Sequence, residues 1–149
     1  MGTESGLVGV AGEYYVAAEL SRRGYIASIT LRNTKGVDIL VSNIDATASV
    51  GIQVKTSKGS KPEWVLSSKV EKDELAANLF FVFVRLNDGG HPDYHVVPAA
   101  TVAATVAKEH QDWLNTEGRG GRQHQDNPMR KFRDHEGKYL DAWDSLGLE

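Results

Sequence analysis

Four side chains of this sequence are of the types that, brought together, could cleave a phosphodiester: Glu13, Asp38, Gln53 and Lys55. Asp38 interrupts the apolar run Val37-Asp38-Ile39-Leu40-Val41, and Gln53 and Lys55 flank Val54. Oxygen donors suit Mg2+ (or Mn2+), ions that keep several of their waters. Asp38, Gln53 and the backbone carbonyl of Val54 supply such oxygens, and Glu13 could hold a bound water or a second ion. A neighbouring lysine can orient an attacking water or steady charge on the phosphoryl oxygens, and Lys55 is the lysine for that work. Each residue alone has a plain structural explanation: an Asp on the solvated face of a hairpin, a Gln-x-Lys alternation on an exposed strand, Lys55 as a simple ion-pair partner. Glu13 joins them into a set, because an ionised carboxylate on an apolar helix face is costly unless it is paired or metal-bound.

The elements that must carry these groups follow from hydrophobic period. Val10, Glu13, Val16, Ala17 and Leu20 recur at steps of three and four and predict a helix over residues 5–23, closed by Gly24. Strands are predicted over 25–30, 37–42 and 48–56, the last two forming an antiparallel hairpin through the turn at 43–46. Strict alternation would put Asp38 and Leu40 on one face and Val37, Ile39 and Val41 on the other, with Gln53 and Lys55 meeting the Asp38 face. Further on, 63–66 reads as a short strand and 67–77 as a helical turn or two. Residues 79–86 read as a central strand buried on both faces, and 94–97 as a returning strand. Pro98 suits a helix start, so 99–114 reads as a helix; 118–127 is an open loop and 138–146 a short terminal helix. Trp113, Tyr139 and Trp143 are expected to pack the closing helices onto the domain. The order implies an α/β fold with a mixed sheet.

The chain has 149 residues, 40% hydrophobic and 25% charged, which fits one globular domain over 1–149 with flexible segments at 1–5 and about 117–128. No apolar run approaches the roughly 18–20 residues of a membrane span, so no membrane partner is expected. The N-terminal residues lack a secretory pattern. Cysteine is absent, which removes disulfides and thiolate zinc sites and is compatible with a cytoplasmic protein. Net charge is −3, so attraction to nucleic acid must be local. Two stretches qualify: Lys55, Lys58 and Lys61 with no intervening acid, and Arg119, Arg122, Arg130, Lys131 and Arg133 with only Asp126 among them. Lys58 and Lys61 could contact phosphates and Trp64 could stack on a base, although a tryptophan here is more often core. Arg119 and Arg122, in Gly-Arg-Gly-Gly-Arg, could drape over a phosphate backbone, or simply sit in an exposed loop. His91 and His95 fall around a proline and a strand and make no zinc set, and neither a phosphate-cradling Gly-x-x-x-x-Gly-Lys nor a Ser/His/Asp constellation is present.

Gly12-Glu13 in an opening helix, Gly36-Val37-Asp38 in a strand and Gln53-Val54-Lys55 in the next resemble the restriction-endonuclease-like, PD-(D/E)xK superfamily. The step of fifteen positions from Asp38 to Gln53 suits the hairpin that carries the motif there. The resemblance covers roughly residues 5–60. It implies a mixed sheet flanked by helices and a magnesium-dependent DNA endonuclease, with Glu13, Asp38 and Gln53 at the metal and Lys55 as the catalytic lysine. A homodimer would follow if both DNA strands are cut. Two departures stand out: Val37 occupies the proline position, and Gln53 replaces the second acid. Some branches of the superfamily carry Gln there, but an amide compensates less charge than a carboxylate. The alternative is a module of the same fold, catalytically weak or inactive, that binds nucleic acid or a protein partner.

Overall fold

Leu-Phe-Phe-Val-Phe-Val-Arg, the most apolar stretch of the chain, becomes the strand around which two cores assemble. The computed structural model describes residues 5–31, 36–71 and 76–149. In order, α1 spans Ser5–Arg22, β1 Ile26–Ile29, β2 Ile39–Ser42, β3 Ser49–Ser57, β4 Glu63–Ser67, β5 Leu79–Arg85, β6 Asp93–Pro98, α2 Ala99–Leu114 and β7 Met129–Arg133. Five strands form one sheet in the order β1-β2-β3-β5-β6; β3 and β5 are parallel and the other pairs antiparallel. β4 and β7 pair separately as a small antiparallel sheet.

Because strand side chains alternate, β5 feeds both cores. Phe80, Val82 and Val84 join Ile39, Val41, Ile52, Val96, Trp143 and the α1 residues Val16 and Leu20 on one side. Phe81 and Phe83 join Val97, the α2 residues Val102 and Val106, and Trp64, Leu66 and Phe132 of the small sheet on the other. The parallel step from β3 to β5 leaves the main sheet through β4, so the connection itself builds the second layer.

Local chemistry ends the elements where expected. Gly24 takes φ +93°, and the Tyr25 amide reaches the Leu20 carbonyl at 3.1 Å, closing α1. The α2 helix runs Ala99–Leu114 directly after Pro98.

Four expectations differ. The terminal helix at 138–146 is absent; one 3-10 turn, Trp143–Leu146, takes its place. What orders this tail is polar: buried Asp134 accepts from the amides of Lys138 and Tyr139 at 2.9 Å each and lies 2.7 Å from His95 Nδ1. Trp143 still enters the core, with Arg23 over its ring. Second, β7 emerges from a stretch marked in the sequence only by its basic residues, since Arg130 and Phe132 point inward while Met129 and Arg133 point out. Third, the helical segment expected over 67–77 is a short 3-10 turn, Ser68–Glu71; positions 72–75 of that expectation lie outside the described residues. The segment read as an open loop at 118–127 is tied back: Glu117 bridges Gln123, the Gly118 amide donates to the Arg122 carbonyl at 2.7 Å, and His124 stacks on Trp113 at 4.1 Å.

Candidate functional site

Val54 is the centre of the candidate site. Its backbone N–H donates to Asp38 Oδ2 at 2.7 Å, and its chain neighbours are Gln53 and Lys55. The carboxylate occupies a rung that a backbone carbonyl would hold in a regular ladder, because β2 and β3 fall out of step here. Ile39 pairs with Ile52, and the Asp38 amide also donates to the Ile52 carbonyl at 2.8 Å. Two residues thus address one, as in a β-bulge. The backbone around Asp38 is held from the other side as well: the Thr30 amide bonds the Asp38 carbonyl at 2.9 Å, and the Thr30 hydroxyl donates to the Val37 carbonyl at 2.7 Å.

The bulge corrects the expected faces. Val37 was assigned to the side of Ile39, yet its methyls lie against Gly51, where a Cβ would meet them at 3.4 Å. Gly51 shares a face with its pairing partner Leu40, and Ile39 is fully buried on the opposite face. Alternation therefore breaks between Val37 and Ile39, and the Asp38 carboxylate is turned along the sheet toward Val54.

Glu13 arrives from the other side. Ile52, Val54 and Thr56 pair with Phe80, Val82 and Val84, the α1-side core residues of β5. Gln53 and Lys55 pair with Phe81 and Phe83 and so lie on the α2 side. The stripe of α1 that meets the sheet is centred on Val8, Gly12, Val16 and Leu20, with Glu13 half-buried at its edge. Gly12 touches Thr56, so Glu13 and Lys55 are each one residue, about 3.8 Å along the chain, from that contact. Pleat alone separates the Gln53 and Lys55 face from α1; the contacts that tie the two acid-bearing segments to β3 are Asp38 on the Val54 amide and Gly12 on Thr56.

The donors here are carboxylate, amide and carbonyl oxygens. Among the described residues no three acidic or histidine side chains gather into a ready cage. Two carboxylates completed by neutral oxygens and water is the coordination magnesium ordinarily accepts, so the residues fit that ion.

The surrounding cations divide into two groups. Lys58 and Lys61 are exposed on the turn that follows β3. Arg85, which sequence reading did not single out, holds that turn, donating to the Ser60 carbonyl at 2.7 Å and to Asp93 Oδ2 at 2.8 Å. A lone arginine at the end of the most apolar strand was the available signal. The stretch ending at Arg133 is largely neutralised. Arg130 pairs with Glu71, Arg133 with Glu109 at 3.0 Å, and Lys131 with Glu63 at 3.5 Å. Burial pushes the Glu63 carboxyl up, but bonds from His135 and Lys131 outweigh it and hold the group below its ordinary value. Arg119 and Arg122 remain exposed on their loop, and nothing in the described contacts ties them to Val54. Trp64 is a correction. It is 2% exposed, its indole donates to the Val84 carbonyl at 2.9 Å, and its ring packs on Phe83 and His95. No open face is left for a nucleobase.

No protein-family model and no curated protein matches this sequence. Solved structures do match. A bacterial homing endonuclease, I-Ssp6803I, superposes with a TM-score of 0.59 at 12% identity, covering 98% of this chain and 92% of that one. The Holliday junction resolvase Hjc of the archaeal hyperthermophile Archaeoglobus fulgidus superposes with a TM-score of 0.53 at 15% identity, covering 95% and 97%. At these identities the likeness establishes the fold alone, a mixed sheet flanked by helices like that of the two nucleases.

Proposed function

We propose that this chain is a metal-dependent DNA endonuclease that hydrolyses phosphodiester bonds at the end of β3, with Mg2+ or Mn2+ as cofactor. One juxtaposition carries the reading: the Asp38 carboxylate lies on the Val54 amide, between Gln53 and Lys55, while the helix bearing Glu13 packs on the adjoining Thr56. Two structures of similar fold are described as a homing endonuclease and a junction resolvase, which makes DNA the substrate class to test first.

Asp38, Glu13, the Gln53 amide oxygen and the Val54 carbonyl would hold the ion. Once bound, it would supply charge stabilisation at the phosphoryl group and a more acidic water. The Lys55 ammonium would orient that water for in-line attack and offset charge on the non-bridging oxygens. The water oxygen forms the new P–O bond while the opposite P–O ester bond breaks. One proton leaves the water and one is taken up by the leaving oxygen. Lys58 and Lys61 would seat the flanking phosphates, with Arg119 and Arg122 as more distant contacts. Cutting both strands of a duplex would call for two copies of the chain.

The test is cleavage of single-stranded, double-stranded and branched DNA with and without Mg2+ or Mn2+. Wild type should cut only with the ion. Asp38→Ala should fall to background, and Lys55→Ala should lose about 10²–10³-fold. Absence of ion-dependent cleavage, or activity that survives both substitutions unaltered, would sink the proposal.

Gln53 favours one second reading, a nuclease-fold module that binds nucleic acid or a protein partner without cutting. Calorimetric titration with Mg2+ separates the two: DNA binding with no measurable ion binding supports the module.

A further inference from the structure

We propose that Gly12 and Thr56 form a spacer that sets how far Glu13 reaches toward Asp38 and Lys55; this rests on the endonuclease reading above and deepens it. The helix α1 carries Gly6, Gly9 and Gly12, and only the last is sterically required. A Cβ at Gly6 or Gly9 would meet nothing within 4 Å. A Cβ at Gly12 would lie 1.7 Å from Thr56 Oγ1, 2.9 Å from its Cβ and 3.0 Å from its Cγ2. Rotating Thr56 exchanges one substituent for another without removing the clash with its Cβ.

The strand side of this contact cannot easily retreat. Thr56 is paired with Val84 near the end of β3, the central strand of the five-stranded sheet, and its buried Oγ1 has no hydrogen-bond partner. A buried hydroxyl oxygen without a partner calls for a reason beyond packing, since valine would fill the same shape without the polar cost. Glycine within a helix is likewise unfavourable relative to alanine. Both residues are locally poor choices, and they meet one residue from Glu13 and one residue from Lys55.

The helix must therefore yield if a methyl group is added. Restoring ordinary contact would move α1 on the order of 1–2 Å from β3 at this point, and a displacement near 1 Å can cost about 10²-fold in rate. Glu13 travels with the helix, whereas Asp38, Gln53 and Lys55 stay with the sheet. Gly12 and Thr56 are positioning residues that act through Glu13.

The experiment measures Mn2+-dependent DNA cleavage, the half-saturating Mn2+ concentration, Mn2+ binding by calorimetry and thermal unfolding. It compares wild type, Gly12→Ala, Glu13→Gln and the pairs G12A/T56A and G12A/E13Q. Folded Gly12→Ala should cut about 30- to 100-fold more slowly and need more Mn2+. Adding Thr56→Ala should recover a large part of the lost activity, at least about 5-fold over Gly12→Ala, because it removes the 1.7 and 3.0 Å contacts and leaves only the 2.9 Å one to the Thr56 Cβ. In the Glu13→Gln background, Gly12→Ala should change the rate less than about 2-fold. A folded Gly12→Ala with wild-type rate and Mn2+ requirement overturns the spacer, as does an equal loss with and without Glu13. Should Gly12→Ala fail to fold, the pair G12A/T56A decides: folded and active supports the spacer, folded and inactive overturns it. If wild type neither cuts DNA nor binds Mn2+, the endonuclease reading falls and takes the spacer with it.

Discussion

Charge at the candidate site depends on Gln53. Asp38 and Glu13 are its two acids, and the position that would supply a third carries a neutral amide. Affinity for a hard divalent ion rises with the number of charged ligands, so Gln53→Glu should lower the half-saturating Mg2+ concentration by about 3- to 10-fold, read by calorimetry and by cleavage. An unchanged Mg2+ requirement would place Gln53 outside the ion's reach. The residue types were legible in the sequence because each interrupts or flanks an apolar run. Their geometry was only partly so. Alternation predicted that Asp38 would share a face with Leu40, and the bulge against Ile52 instead turns its carboxylate onto the Val54 amide. An extra residue in one strand leaves no mark in a count of apolar positions. Trp64 was ambiguous for a related reason: a single indole next to lysines reads equally as core or as platform until its burial is known.

Elements hold these residues through a few polar ties, and the tie at Arg85 has a pH signature. Burial pushes the Asp93 carboxyl up, but bonds from Asn87 and Arg85 outweigh it and hold the group below its ordinary value. A depressed carboxyl stabilises the fold above its unfolded value of roughly 3.9, and that contribution is lost as pH falls through the lower folded value. Asp93→Asn should therefore destabilise at pH 7 and the gap from wild type should close as pH falls through the depressed folded value. The loss should stay under ~1 kcal/mol, because the two side chains are 26% and 34% exposed and water screens the pair. Urea or thermal melts over a series from pH 7 into acid check this, and a gap of constant size throughout would contradict it. Helices and central strands were readable at this scale because their period is strong. β7 was not, since Met-Arg-Lys-Phe-Arg looks like a cationic loop until Glu71 and the Asn127 and Met129 carbonyls are seen to satisfy Arg130. The supposed terminal helix failed for the opposite reason: its aromatic spacing serves the core while the backbone is directed by Asp134.

For the whole molecule, a net charge of −3 means that the DNA of the proposed reaction would have to be held by a restricted surface. The lysines after β3 are proposed for it because they are exposed beside the candidate site, while the Arg130–Arg133 cations pair with Glu63, Glu71 and Glu109. Each phosphate contact contributes about 0.9 to the slope of log affinity against log salt, so Lys58→Ala with Lys61→Ala should reduce that slope by about 2. A slope unaffected by both would move the interface elsewhere, with Arg119 and Arg122 next to be tested. Among the described residues no helix is long and apolar enough to cross a membrane. The mixed sheet was foreseen from the order of elements, but the second sheet that fills the β3–β5 connection was not, because strands distant in sequence leave no local signal of pairing. The central claim is that an ion sits where Asp38 meets Val54, and the most direct measurement is anomalous scattering from a crystal soaked in Mn2+. The account predicts a peak roughly 2 Å from an Asp38 carboxylate oxygen and from the Gln53 amide or Val54 carbonyl oxygen. Saturating Mn2+ with no peak there, and Asp38 still bonded to the Val54 amide as its ladder partner, would contradict it.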